Sequence, residues 1–313
     1  MGNAHDIAIL GAGSIGVSFA AVFVDAGARV TLVDPDAARR AAVAQAIKLQ
    51  QEATKEAGLR KGGQGTLSVV AELGAAAADA RLVLECGPER LNTKQQIFAN
   101  LLSATPATTL LATASSAIPM SHILPAGADQ ARCLVAHPVN PPAILRLIEL
   151  APAPGTLPET VSHARGLFRT LGFAPVVLHR EVEGFVLNRL QGAVLREAYR
   201  LVDEGVASAE DIDTVMRVGL GPRWALSGPF ETAELNTPGG LAAHAARMGP
   251  AYKRMGEARG ETVDWSPALV AQAVAARRAI LPEAQIPARA AWRVGAVARL
   301  VAERDRILAD ADD

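Results

Sequence analysis

The chain has 313 residues, a formal net charge of -1, 50% hydrophobic and only 4% aromatic residues, which suits two domains whose cores Ala, Leu and Val must fill. That balance excludes a disordered chain and gives no general attraction to nucleic acid or to an anionic membrane. No run of 18 apolar residues is present to span a bilayer, two cysteines (Cys86 and Cys133) cannot frame a disulfide network, and no histidine cluster has metal-ligand spacing.

Residues Met1 to Asp6 lack the basic and apolar regions of a secretory signal, so a cytoplasmic location is expected. Ile7–Leu10 then reads as a strand, Ser14–Ala26 as a helix, Arg29–Val33 as a second strand and Ala37–Ala57 as a helix. The polar second half of that helix (Lys48, Gln50, Gln51, Glu52, Lys55, Glu56) implies exposure. Gly58–Gly65 must be a loop. Further strands are expected at Leu82–Glu85, Leu110–Ala112, Cys133–Ala136 and Leu147–Leu150. Strands alternating with helices indicate a mostly parallel sheet covered on both faces. From Gly184 onward the periods are helical: Phe185–Glu204, a helix opened by a capping box at Ser208 and Asp211, and a last helix over Pro287–Ala309 with Trp292, Val297 and Leu300 among its apolar positions. The expectation is an α/β fold: a Rossmann-type domain over residues 1–183, followed by an all-α domain over 184–313.

Gly11-Ala12-Gly13-Ser14-Ile15-Gly16 is a GxGxxG that follows a strand and opens a helix, and Asp34, at the end of the second strand, lies 18 positions beyond Gly16. Each part has a physical task in dinucleotide binding. Gly11 permits the tight turn, Gly13 lets backbone approach the pyrophosphate, and Gly16 lets helix and strand pack closely. The helix start, with Ser14 and Ile15, offers free N–H groups to phosphate. Asp34 suits the ribose hydroxyls and repels the extra phosphate of NADP, so NAD is expected, although Arg39 and Arg40 stand nearby.

A nicotinamide cofactor leaves the protein to supply a proton acceptor. His137 is the candidate base, placed just after the strand Cys133–Ala136, where open α/β sheets hold their ligands. An unperturbed imidazole titrates near pH 6.5, about right for taking an alcohol proton. Glu149 sits amid Leu147, Ile148 and Leu150, where an unpaired carboxylate is costly to bury; pairing with His137 would orient the ring. The other histidines (His5, His122, His163, His179, His244) have no such context. On the residues alone, Ser116 is a turn residue, Asn188 a polar residue of a first helical turn, and Glu89 and Lys94 part of a solvated helix start.

Taken in order, Gly11–Gly16 with Asp34, Leu84-Glu-Cys-Gly-Pro-Glu89 with Lys94, Ser115-Ser116, His137-Pro-Val-Asn-Pro-Pro142 with Glu149, and Gly184-Phe-Val-Leu-Asn188-Arg189 resemble the 3-hydroxyacyl-CoA dehydrogenase superfamily, and within it the lambda-crystallin / L-gulonate 3-dehydrogenase branch. The resemblance runs over nearly the whole chain. It implies a catalytic Ser–His–Glu–Asn set. The family's serine precedes its histidine by 21 residues, which selects Ser116 with Ser115 as the fallback, and its asparagine follows by 51, which selects Asn188. Glu89 and Lys94 match positions near the nicotinamide half of NAD. On that analogy Ser116 and Asn188 hydrogen-bond the substrate.

The resemblance implies oxidation of the 3-hydroxyl of a small hydroxy acid, L-gulonate first, with L-carnitine and a short 3-hydroxyacyl-CoA as alternatives. A further alternative is an NAD-binding, crystallin-like structural protein. Gly219–Asn236 looks more like the gulonate branch than the acyl-CoA one. Within it Arg223 is either a carboxylate clamp or an exposed helix-end arginine. Lys48, Lys55, Arg60 and Lys61 are either CoA-phosphate contacts or solvated surface. Family members dimerise through the helical domain, so a homodimer is expected there.

Overall fold

Apolar runs of four to six residues close into a single eight-stranded sheet in the computed structural model. It describes residues 6–74, 76–226, 228–237, 240–260 and 282–311, with positions 268, 271, 275 and 279. The signal-less start read above, Met1–His5, lies outside the described residues. The strands are β1 (Asp6–Leu10), β2 (Arg29–Val33), β3 (Thr66–Val70), β4 (Leu82–Glu85), β5 (Leu110–Thr113), β6 (Cys133–Pro138), β7 (Leu147–Pro152) and β8 (Ala174–Val177), in the order β3-β2-β1-β4-β5-β6-β7-β8. The first six run parallel; β7 is antiparallel to β6, and β8 is parallel to β7. Chain order reverses between β1 and β4, which opens the crevice where such sheets hold ligands.

Two strands fall outside the expected set. Both are edge strands, half-covered rather than buried, so neither carries the apolar run of a central strand; β8 also contains Pro175, which an edge tolerates.

The helices of this sheet domain are α1 (Ser14–Asp25), α2 (Ala37–Glu56), α3 (Ala76–Asp79), α4 (Leu91–Ala104), α5 (Met120–Ile123) and α6 (Pro158–Thr170). The helix α1 is buried along most of its length and drives Phe19 and Phe23 against Phe168 and Phe173, with ring centroids 5.3–6.3 Å apart. By contrast α2 buries only Val43, Ile47 and Thr54, as its polar second half implied. Asp36 caps it by accepting from Ala38 N and Arg39 N. The glycine loop 58–65 is pinned by buried Asp25, which accepts from Arg60 Nε at 3.0 Å, Lys61 N at 2.6 Å and Gly62 N at 3.3 Å.

The chain divides into two compact units, Met1–Arg189 with Arg293–Ala302, and Leu190–Trp292 with Glu303–Asp313. Helices continue through α7 (Leu187–Asp203), α8 (Ala209–Thr214), a π-helical turn (Val215–Leu220), α9 (Gly221–Leu226), α10 (Pro229–Leu235), α11 (Gly240–Arg259) and α12 (Ile286–Ala311). The Ser208–Asp211 capping box is present in both directions. The helix α7 begins at Leu187, later than the Phe185 start expected from periodicity. Phe185 takes φ +50 after Gly184 at φ +74, and two successive left-handed residues cannot belong to a right-handed helix.

Candidate active site

The glycine turn behaves as its spacing requires. Gly11 sits at φ +110, and a Cβ there would meet Cys86 O at 2.7 Å; a Cβ on Gly16 would lie 1.9 Å from Gly11 O. Gly13 faces open space and caps α1 without a side-chain hydrogen bond. The α1 start, with Ser14 and Ile15, thus presents a backbone cradle that fits a pyrophosphate. Asp34 is buried beside it, accepting from Ala12 N at 2.8 Å and Asp36 N at 2.9 Å. Arg39 approaches Asp34 at 3.8 Å, while Arg40 is turned to the carbonyls of Asp34 and Pro35.

His137 lies within β6 rather than after it. In the antiparallel β6/β7 register it is directly opposite Glu149, and directly opposed residues share a face. His137 Nδ1 and Glu149 Oε2 are 2.8 Å apart, both residues buried. Glu149 Oε1 accepts from Val186 N and Leu187 N, each at 2.9 Å. The carboxylate therefore holds the imidazole with one oxygen and the α7 N-terminus with the other, where a negative charge meets the positive end of the helix dipole. The positive φ of Phe185 makes this possible: it turns the chain so that the next two amides face Glu149, and it lays the buried Phe185 ring 5.4 Å from the imidazole.

Of the two serines, Ser115 is buried and Ser116 exposed. Ser115 Oγ donates to Glu89 Oε1 at 2.7 Å and accepts from Ile118 N at 2.9 Å. Its hydroxyl is spent on the turn, which leaves Ser116 as the hydroxyl open to a ligand. Asn188 Nδ2 donates to Ser116 O at 2.6 Å, so the first turn of α7 joins the Ser116 turn to the Glu149 carboxylate. Lys94 is not a solvated helix-start residue: its ammonium is buried against Glu85 and Glu89. Burial opposes the charge on Glu89, yet the Ser115 hydroxyl, the Lys94 ammonium and Ser116 N–H together hold its carboxyl below the usual value.

Sequence reasoning passed over Glu85, Thr113 and Phe185. A carboxylate closing the apolar run Leu82–Glu85 was the available signal for the first, the same signal that marked Glu149. Arg223 is exposed on α9 of the second unit. Cys133 is buried, and burial pushes its thiol up to about 12; Cys86 is half-buried and raised for the same reason. Among the described residues no His, Cys, Asp and Glu group could hold a metal, and no helix is long and apolar enough to cross a membrane.

A glycine cradle at the switch point of a Rossmann sheet, with a buried imidazole–carboxylate pair on β6 and β7 of the same sheet, defines a nicotinamide-dependent dehydrogenase. Two family models cover the chain: the 3-hydroxyacyl-CoA dehydrogenase NAD binding domain matches residues 6–182 and its C-terminal domain residues 184–279. The chain belongs to the 3-hydroxyacyl-CoA dehydrogenase family and is an NAD-dependent oxidoreductase acting on a CH–OH group. It is similar to the lambda-crystallin homolog of Bos taurus, 38% identical over 94% of each chain. It is also similar to the L-carnitine dehydrogenase of Streptomyces griseus, 36% identical over 97% of this chain and 88% of that one. Among solved structures, a 5-formyl-3-hydroxy-2-methylpyridine 4-carboxylic acid 5-dehydrogenase, an NAD-dependent dismutase, aligns with a TM-score of 0.80 at 27% identity, covering 95% of this chain and 98% of the other.

Proposed function

We propose that this chain oxidises the 3-hydroxyl of a small free hydroxy acid, L-gulonate first, with His137 as the general base. The observation that carries the reading is the buried His137–Glu149 pair. With Nδ1 engaged by Glu149, Nε2 is the ring nitrogen left to accept the hydroxyl proton, and the carboxylate stabilises the imidazolium that results. Bound NAD supplies the acceptor for the hydrogen that leaves carbon 3. Ser116 and Asn188 orient the substrate oxygen, the Gly11–Gly16 turn receives the pyrophosphate, and Asp34 receives the adenosine ribose.

A free acid is preferred to a CoA thioester because two of the basic residues that would suit CoA phosphates are already engaged. Arg60 bonds Asp25, and Lys61 Nζ donates to Thr170 O at 2.9 Å. The pyridine-carboxylic acid named for the FHMPC dehydrogenase is likewise no thioester. L-carnitine is the second reading, favoured by the Streptomyces relative. A cytoplasmic homodimer formed through the helical unit completes the proposal. That unit exposes Val206, Val215, Val218 and Met255 and holds an apolar cavity of about 810 Å³ lined by Val194, Leu201, Ile212 and Met216.

The test is NAD reduction across L-gulonate, L-carnitine and 3-hydroxybutyryl-CoA, with NADP as the cofactor control. Turnover with a free hydroxy acid, abolished in His137→Asn while NAD still binds, is the expected result. Preferred turnover of the CoA thioester, or full activity in His137→Asn, would overturn it.

A further inference from the structure

The helix that opens the dinucleotide cradle also reaches the hairpin that carries the proposed base. Ser18 lies one turn past Ser14 on α1 and is 1% exposed. Its Oγ accepts from Ala143 N at 2.9 Å, across 125 residues of chain. Ala143 is 0% exposed. It sits in the turn between β6 and β7, where Ile144 N and Leu145 N both donate to Pro141 O. Its carbonyl accepts from Arg146 Nε at 2.7 Å, and the Arg146 guanidinium lies over the Phe173 ring, 5.9 Å from its centroid. Both backbone groups of Ala143 are therefore held by side chains, one from within the hairpin and one from α1.

This contact is a direct tie between elements that the sheet keeps apart. Two strands, β4 and β5, lie between β1 and β6. The tie also works from the face opposite the dyad. Side chains alternate along a strand: Ala136 packs into the apolar cluster of Phe19 and Phe23 from α1, whereas Val135 joins the cluster of Phe185, and the His137 ring lies with them, 5.4 Å from Phe185. The hairpin is thus fastened on one face by Glu149 to the start of α7, and on the other by Ala143 to α1.

We propose that Ser18 is a positioning residue: through Ala143 it sets the distance between the helix that receives NAD and the hairpin that presents His137. The proposal rests on His137 being the base. A proton and a hydrogen leave one alcohol carbon and its oxygen in different directions, the first to the hairpin and the second to bound NAD. Reacting atoms must then stand about 3–3.5 Å apart on both sides at once. A hydroxyl that holds a buried amide at hydrogen-bond length limits how far the two elements travel relative to each other. In Ser18→Ala that amide is left without an acceptor in a buried place, and the turn shifts or opens to find one.

The experiment uses the full-length chain as wild type, Ser18→Ala and Ser18→Thr, with hydrogen exchange followed at residues 143–145. NAD should slow exchange there at least about fivefold in the wild type and less than about twofold in Ser18→Ala, because local opening of the turn is then uncoupled from the cradle. The substrate is whichever of L-gulonate, L-carnitine and 3-hydroxybutyryl-CoA the wild type oxidises fastest. In Ser18→Ala its kcat should fall about 10–100-fold, the scale of an ångström-sized misplacement, with the NAD dissociation constant changed by less than about threefold. Ser18→Thr should return to within about threefold of wild type in both readings, since its hydroxyl offers the same acceptor. Should Ser18→Ala fail to fold, Ser18→Cys, whose sulfur is a weaker acceptor, decides by the same two readings. Equal protection of 143–145 by NAD with and without the hydroxyl, or an NAD dissociation constant that rises in step with the loss of kcat, would overturn the proposal. Full activity in His137→Asn would sink the base reading alone, since the exchange result still decides the tie.

Discussion

Replacing Glu149 with glutamine tests the dyad with almost no change of volume. The carbonyl oxygen of the new amide can still accept from Val186 N and Leu187 N, which now meet Oε1 at 2.9 Å. Its NH2 then faces His137 Nδ1 across the 2.8 Å contact and must donate. Nδ1 becomes an acceptor, the ring proton moves to Nε2, and the nitrogen meant to take the substrate proton already carries one. Loss of a positioned general base lowers kcat by about 10²–10⁴-fold, while the hydrogen-bond count at residue 149 is unchanged and stability moves little. Glu149→Ala differs: it strands two backbone N–H groups and an imidazole in a buried pocket, and losing one partner of a buried pair costs about 3–5 kcal/mol. The assay pairs steady-state NAD reduction with cofactor binding by fluorescence and thermal unfolding. Glu149→Gln should be inactive, folded and able to bind NAD, and Glu149→Ala inactive with a much lower Tm. A Glu149→Gln enzyme keeping more than about a tenth of its kcat would refute the argument, because a blocked base leaves no such residue of activity.

Gly16→Ala puts a methyl 1.9 Å from Gly11 O, so the turn must open; NAD affinity measured by titration should fall at least about tenfold, as close approach of helix and turn is lost. Arg132 bonds Thr105 Oγ1, Leu102 O and Pro106 O at the end of α4; Arg132→Met should lower stability by about 2–4 kcal/mol in denaturant unfolding, at roughly 1 kcal/mol per lost bond plus unsatisfied carbonyls, with NAD binding intact in the folded fraction. Glu89 has its carboxyl held low in the folded chain, so its contribution is complete above the unfolded carboxyl pKa of about 4.3 and fades as pH falls through the lower folded value. Thermal unfolding of Glu89→Gln against wild type should therefore differ most at neutral pH and converge below about pH 4; a difference growing toward acid would contradict that sign.

How much of this was legible follows from whether the signal is local. The glycine turn and Asp34 are read from spacing, because each glycine answers a steric demand along a few residues. The pairing of His137 with Glu149 was legible too: a carboxylate in an apolar run needs a partner, and the next strand back held an imidazole. The place of His137 inside β6 was missed because the apolar run that marks the strand ends at Ala136, whereas the strand continues to Pro138. Glu85 and Thr113 are 28 residues apart and meet only through strand register, which no periodicity encodes. The left-handed turn at Phe185 was illegible for another reason, since that conformation belongs to glycine and carries no mark when a phenylalanine adopts it. Edge strands β3 and β8 lack the burial that makes a strand conspicuous.

The antiparallel turn back from β6 to β7 has a bearing on how the molecule is put together. The parallel strands meet only after long crossovers, and the dinucleotide cradle needs contributions spread from Gly11 to Cys86. The proposed base and its carboxylate, by contrast, are the two ends of a segment running from 137 to 149. Closing so short a loop costs little chain entropy. The proposed proton chemistry would thus be written into one compact ribbon that can form early, and the pocket it serves has to be gathered around it from most of the domain.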